Sequence, residues 1–246
     1  SKADLAVDGI FGVGFSGKVP EDYRLAFEAL GEAKFVVSID VPSGLISDGS
    51  FGDLVVKADL TVCMGALKEA VILFPGRSIA GELEVVDLGV PIPENLGNFL
   101  IEGEDVKGFL PSFVGNENKG DFGKVVVIAG SRKYPGALNL TLLGAIRGGA
   151  GLIYALNPYD IPIPYPEVIP IKEINFKPSA LAIGPGFDDD ESLFSLSYKI
   201  LTDFPDVPAV LDADGLKLLK LYPQLLEREN LIITPHPGEF SRLFGG

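Results

Sequence analysis

Leu231-Ile-Ile-Thr-Pro-His-Pro-Gly-Glu239 decides the fold class of this chain. The apolar, β-branched run Leu231–Thr234 reads as a buried strand. Proline and glycine then turn the chain out at the strand's carboxyl end. In open α/β sheets that end is where ligands bind. His236, the single histidine of the sequence, stands at this exit. An imidazole there can give or take a hydrogen bond near neutral pH. A plain strand-to-helix turn with a surface imidazole fits the same residues.

Upstream of this exit, apolar runs alternate with helical patterns. Strands are expected at Leu5–Phe11, Phe35–Ile39, Leu60–Cys63, Leu83–Leu88, Lys124–Ala129, Gly151–Leu156, Ala180–Ile183, Ala209–Leu211 and Leu231–Thr234. Helices are expected at Glu21–Leu30, Ala137–Gly149, Asp190–Leu201 and Gly215–Leu219, with another starting at Glu239. Continuous apolar strands spaced by helices predict parallel sheets covered on both faces. Near Pro91-Ile-Pro-Glu94 the text turns polar and broken, which places a linker there and a domain boundary at about residue 103.

The bulk properties exclude several classes. Hydrophobic residues make up 47% of the 246 positions and charged residues 22%, enough for a core and too apolar for disorder. A net charge of −14 argues against a nucleic-acid backbone or an anionic membrane as partner. Anionic small ligands remain open to it, held by backbone N–H groups at helix starts. One cysteine, Cys63, permits neither an intrachain disulfide nor a cysteine-based zinc site, and a reducing cytoplasm is expected. No apolar run approaches the roughly 20 residues of a membrane span. Ser1–Asp4 carries no signal-peptide pattern, and both ends read as cut.

Two constellations carry chemistry. In the first, Asp8-Gly-Ile-Phe-Gly-Val-Gly-Phe-Ser-Gly17 closes the opening strand, and Gly12, Gly14 and Gly17 spell G-x-G-x-x-G. Asp40 lies at the end of the next strand, near where a dinucleotide fingerprint puts its ribose acid, about 20 residues on. Three details oppose a dehydrogenase. Asp8 puts an acid inside a strand, Pro20 delays the helix, and Asp40 runs on into a second small loop, Val41-Pro-Ser-Gly44. Asp8, Asp40 and Ser43 offer hard oxygens for a group I or II cation or a sugar–phosphate. Asp8 could instead serve a loop amide, and Ser43 a turn.

The second constellation fills residues 119–246. Gly130-Ser-Arg-Lys-Tyr-Pro-Gly-Ala137 follows a strand and opens a helix, a place for an anion or a carboxamide. Gly184-Pro-Gly186 is a tight turn with no side chains in the way, and the His236 turn comes last. Leu211-Asp-Ala-Asp214 ends a strand in two acids, one able to hold a hydroxyl or a magnesium-bound water. Asp214 reads as the N-cap of the following helix.

Taken in order, these strings resemble the bifunctional NAD(P)H-hydrate repair enzymes. The epimerase part is carried by Asp8–Gly14, Ser38–Gly44, Lys57–Thr61 and Val86–Pro91. The dehydratase part is carried by Lys119–Lys124, Ala129–Ser131, Gly136-Ala137, Gly148–Gly151, Gly184–Gly186, Asp212–Asp214 and Thr234–Glu239. The resemblance implies an α/β protein of two three-layer α/β/α units with mainly parallel sheets. Residues 1–103 would be Rossmann-like and residues 104–246 ribokinase-like. It implies potassium ligands at Asp8 and Ser43, and a substrate acid, the catalytic residue, at Asp40. It implies a loop of Gly12, Val13, Gly14, Phe15, Ser16, Gly17 and Lys18 around the hydrated nucleotide NAD(P)HX. Dehydratase substrate contacts would be Ala137, Gly186 and His236. ADP or ATP with magnesium would phosphorylate the C6 hydroxyl of the S hydrate so that phosphate leaves in place of hydroxide. The epimerase would interconvert the R and S hydrates. The full-length parent would be a homo-oligomer.

The sequence departs from that family pattern at two places. An upstream epimerase part with a potassium-binding asparagine is absent, as is a later Gly-Thr-Gly-Asp motif. Little dehydration is therefore expected of these residues alone, since an oxyanion-type donor is worth about 10²–10³ in rate. Rival readings are a ribokinase-like small-molecule kinase, a dehydrogenase using only the first loop, and a non-catalytic interaction module.

Overall fold

A computed structural model describes residues 3–91, 98–110, 115–116 and 118–245. The chain forms two compact units, Ser1–Gly108 and Phe109–Gly246. Residues 92–97 of the expected linker lie outside the described residues. No described helix is long and apolar enough to cross a membrane.

The first unit is a four-stranded parallel sheet in sequential order, β1 (Ala6–Asp8), β2 (Val36–Ile39), β3 (Leu60–Met64) and β4 (Glu82–Val86). Its helices are α1 (Arg24–Gly31), α2 (Glu69–Ile72) and α3 (Gly103–Lys107). β1 stops at Asp8, short of the expected Phe11, and beyond it the Ile10 and Phe11 amides donate to the Asp8 carboxylate and the Ser43 hydroxyl rather than to a neighbouring strand. In a strand, alternate side chains share a face. One face buries Val36 and Cys63 in two apolar clusters, the first joined by Phe27 and Leu30 of α1, the second by Ala70 and Val71 of α2. The opposite face carries Val7, Ile39, Met64 and Val86, all exposed. A parallel α/β sheet is borne out here. The third layer expected over this unit is not among the described residues.

The second unit is a six-stranded parallel sheet. Its strands are β5 (Lys124–Ile128), β6 (Leu152–Leu156), β7 (Val168–Ile171), β8 (Ala180–Ile183), β9 (Ala209–Leu211) and β10 (Leu231–Ile233), ordered β7-β6-β5-β8-β9-β10. Counted from β5 this is the order 3-2-1-4-5-6 of doubly wound sheets, with the winding reversing between β5 and β8. Its helices are α4 (Pro135–Arg147), α5 (Glu191–Asp203), α6 (Leu218–Leu221) and α7 (Pro237–Phe244). Val126 and Ile128 face α5, packing in one cluster with Leu193 and Leu201. Val127 and Ala129 face α4, packing with Leu138 and Leu142. Helices thus cover both faces here. Each fully buried Val or Leu contributes about 1.5–3 kcal/mol.

β7 was not expected from the sequence. Its Val-Ile-Pro-Ile text contains Pro170, which cannot donate to a ladder, and the strand sits at the sheet edge where proline is tolerated. Cover on the α4 face thins across β8 to β10. Ala182 and Val210 are half-buried and Ile232 is exposed.

Candidate functional sites

At the carboxyl ends of β1 and β2, two loops are tied together by one buried carboxylate. Asp8 has no exposed surface. Its Oδ1 accepts from Ser43 Oγ at 2.5 Å and Ile10 N at 3.4 Å. Its Oδ2 accepts from Ser38 Oγ and Ser43 N, both at 2.8 Å. Ser43 Oγ in turn accepts from Phe11 N at 2.8 Å and lies 3.3 Å from the Phe11 carbonyl. The glycine loop is thereby fixed to the Val41–Gly44 loop. Gly44 cannot be replaced, since φ is +89° and a Cβ would stand 2.0 Å from the Leu54 carbonyl.

The glycine loop does not open a helix. Phe15 N donates to Gly12 O at 3.1 Å, and the chain runs past Pro20 into a 3-10 turn before α1 starts at Arg24. A pyrophosphate-cradling helix start inside the motif is therefore not formed, in line with the sequence objections to a dehydrogenase. Gly12, Val13, Gly14, Ser16 and Lys18 are exposed, while Phe15 and Gly17 are half-buried. No atom lies within 4 Å of a Cβ built on Gly12 or Gly14, so this arc of the loop is open.

Asp40 adopts a left-handed backbone, φ +71°. Its carboxylate accepts from Met64 N at 2.9 Å and pairs with the Lys68 ammonium. Lys68 also donates to the Met64 carbonyl at 2.7 Å. It borders a cavity of about 280 Å³ shared with Val13 of the glycine loop and with Val41 and Ile46. Sequence reasoning missed Lys68. The available signal was a lysine just past the β3 end, on the strand beside Asp40's.

In the second unit the site lies where the winding reverses. Gly130 N donates to Pro185 O at 2.7 Å, and Gly184 N to Ile128 O at 3.0 Å. Gly186, with φ +73°, presses on the start of α4, where a Cβ would come within 2.4 Å of Ala137 Cβ. Two of the expected substrate residues thus touch. Beside them opens a groove of about 600 Å³ lined by Ala137, Thr141 and Gly144 of α4 and by Val210, Asp212 and Thr234. Thr234 Oγ1 donates to Asp212 Oδ1 at 2.7 Å.

His236 is placed differently. It caps α7, its Nδ1 accepting from Gly238 N at 3.1 Å while Glu239 Oε2 accepts from His236 N at 2.9 Å. Its side chain is 60% exposed, and Thr234, not His236, lines the groove. Asp214 is not the helix cap expected of it. Asp212 precedes the 3-10 turn, while Asp214 Oδ2 accepts from Asp188 N at 2.9 Å and Oδ1 pairs with Lys217. Residues 213–217 form that 3-10 turn and only Leu218–Leu221 is α-helical.

Residues 125–246 match the family described as NAD(P)H-hydrate dehydratase. Residues 1–70 match the family described as YjeF-related protein N-terminus. A bifunctional NAD(P)H-hydrate repair enzyme of Coxiella burnetii is 36% identical over 99% of this chain and 53% of its own length. Its counterpart in Moorella thermoacetica is 32% identical over 99% of this chain and 51% of its own. The chain belongs to the bifunctional NAD(P)H-hydrate repair family. It spans about half the length of the curated relatives it matches. Among solved structures, an ADP/ATP-dependent NAD(P)H-hydrate dehydratase of Bacillus subtilis, co-crystallised with ATP and Mg²⁺, is 35% identical, with a TM-score of 0.48 over 58% of this chain and 54% of that one. For this repair-family chain, the two matched regions each end their strands at one of the sites built above.

Proposed function

We propose that the protein carrying this chain repairs hydrated nicotinamide coenzymes. The first unit would interconvert R and S NAD(P)HX, and the second would dehydrate the S form with ADP or ATP as phosphoryl donor. The observation that carries this reading is the order of the two family regions on one chain, each with open loops at parallel strand ends. Recruiting both halves is what a kinase or dehydrogenase reading fails to do.

In the first site, Gly12–Lys18 would receive the nucleotide on its open arc, with the Asp40–Lys68 pair supplying its acid–base chemistry. Asp8 Oδ1, Ser43 Oγ and the Phe11 carbonyl converge as hard oxygens, a donor set that fits potassium. A cation there would neutralise the buried Asp8 charge and steady the loop. In the second site, Ala137 and Gly186 would form the floor under the nicotinamide ring, because neither carries a side chain large enough to fill the space. Asp212 is the carboxylate at the groove placed to hold a hydroxyl or a magnesium-bound water. His236 would reach substrate only from beyond Thr234. Phosphorylating the C6 hydroxyl makes phosphate the leaving group. Loss of phosphate from C6 and of a proton from C5 restores the reduced ring.

Purified protein incubated with mixed R and S NADHX, ADP or ATP and magnesium should regain NADH absorbance. Failure of both R/S interconversion and nucleotide-dependent recovery would refute the proposal.

A further inference from the structure

The Lys68–Asp40 pair does more than the assigned acid alone accounts for. The Lys68 ammonium carries three N–H groups. One is held by Asp40 and one by the Met64 carbonyl. Among the described residues the third has no acceptor, and Lys68 lines the cavity that Val13 of the glycine loop shares. Asp40 does not line that cavity. Its left-handed backbone and its bond from Met64 N aim the carboxylate at the ammonium. Only 23% of each side chain is exposed, so the pair is partly shielded from solvent.

We infer that Lys68 is the catalytic proton donor of the epimerase site and that Asp40 is a positioning residue acting through it. The inference rests on the epimerase reading of the first unit. C6 of the hydrate bears both the hydroxyl and a bond to the ring nitrogen. The C6–O bond breaks with its electron pair on oxygen, and the Lys68 Nζ proton joins it to give water. The nitrogen lone pair forms the N1=C6 bond, leaving C6 planar. Water adds to the other face, the N1=C6 pair returns to nitrogen, and the proton released by that water returns to Lys68 through solvent. Atoms and charge balance over the cycle. Asp40 keeps Nζ pointed, while Met64 O fixes the second N–H.

The test measures R/S NADHX interconversion, substrate affinity and amine labelling on the intact protein. Lys68→Gln is expected to lower kcat about 10²- to 10³-fold with the Kd for NADHX within about 3-fold, a loss in the range of a missing general acid. Lys68→Arg keeps the charge but holds its proton too tightly, and is expected to stay at least 10-fold slow. Asp40→Asn tolerates the same backbone. It should lower kcat with KM little changed, and Asp40→Glu should recover part of the loss. Acylation of the Lys68 amine should slow at least 10-fold when NADHX is bound, a readout that needs no turnover. Full kcat in Lys68→Gln with a native melting curve, or Lys68 labelling unaffected by NADHX, overturns the inference and leaves the epimerase reading standing. A weakened Kd with unchanged kcat overturns it too, by making Lys68 a binding group. Wild-type protein that leaves the R/S ratio at its buffer rate overturns the epimerase reading and the inference together.

Discussion

Asp8 shows how one residue joins two loops. A carboxylate with no exposed surface costs several kcal/mol in desolvation unless it is well bonded. Here two hydroxyls and two backbone amides supply that bonding. Ser43→Ala removes the shortest of these bonds and strands the Phe11 amide. Urea unfolding followed by a probe in the first unit should show a loss of about 1–3 kcal/mol. A change under about 0.5 kcal/mol would refute the clamp. Cys63 gives a second prediction. Burial, aided by the Asp40 carboxylate, pushes its thiol above the ordinary value, with Lys68 pulling the other way. The thiol therefore stays protonated near neutral pH, and thiolate is the reactive form. A disulfide reagent should modify the native protein slowly and the urea-unfolded protein fast, and equal rates would contradict the buried position.

At the scale of elements, the start of α5 is held by Asp190. Its Oδ1 accepts from Ser192 N at 3.0 Å and Leu193 N at 3.3 Å, and its Oδ2 accepts from Tyr159 Oη. Burial pushes the Asp190 carboxyl up, but the hydrogen bonds from Ser192, Tyr159 and the Leu193 amide outweigh it and hold the carboxyl below its usual range. Asp190→Ala should cost about 0.5–2 kcal/mol at pH 7. A lowered folded-state pKa means the contribution is complete above the unfolded value of about 3.9 and is lost as pH falls through the folded one. Chemical denaturation at pH 7 and at about pH 3 should therefore show the variant's deficit shrinking in acid. A deficit that grows would show the sign is wrong. The α4 start gives a steric counterpart. Gly186→Ala would drive a methyl into Ala137 and force a left-handed backbone on an alanine, so a fall in dehydration and in stability of about 1–3 kcal/mol is expected. Wild-type melting and wild-type rate together would count against that contact.

Across the molecule, both sheets keep an apolar face that the described residues do not cover. In the first unit it is Val7, Ile39, Met64 and Val86, and in the second Val210 and Ile232 beside Leu140. Contiguous apolar surface of this kind binds apolar probes. Val7→Lys and Ile232→Lys should each reduce the fluorescence of a bound anilinonaphthalene dye while changing stability by less than about 0.5 kcal/mol. Undiminished dye binding would show those faces are not open.

The alternation of apolar runs with Gly- and Pro-punctuated turns, fixed by residue type alone, was enough to read parallel sheets. Ala180–Ile183 and Ala209–Leu211 came out to the residue, because short buried strands are written as unbroken apolar text. The ordered loops at strand ends also told the family. Local text could not tell that the winding reverses beside Gly130 and Gly186, nor that Pro170 sits in an edge strand. Those depend on which strands pair, a choice made by long-range burial. Nor could it show that Lys68 reaches Asp40, 28 residues away. A side chain's partner is set by what the fold brings within hydrogen-bond range, and residues so far apart in sequence meet only once the sheet has formed.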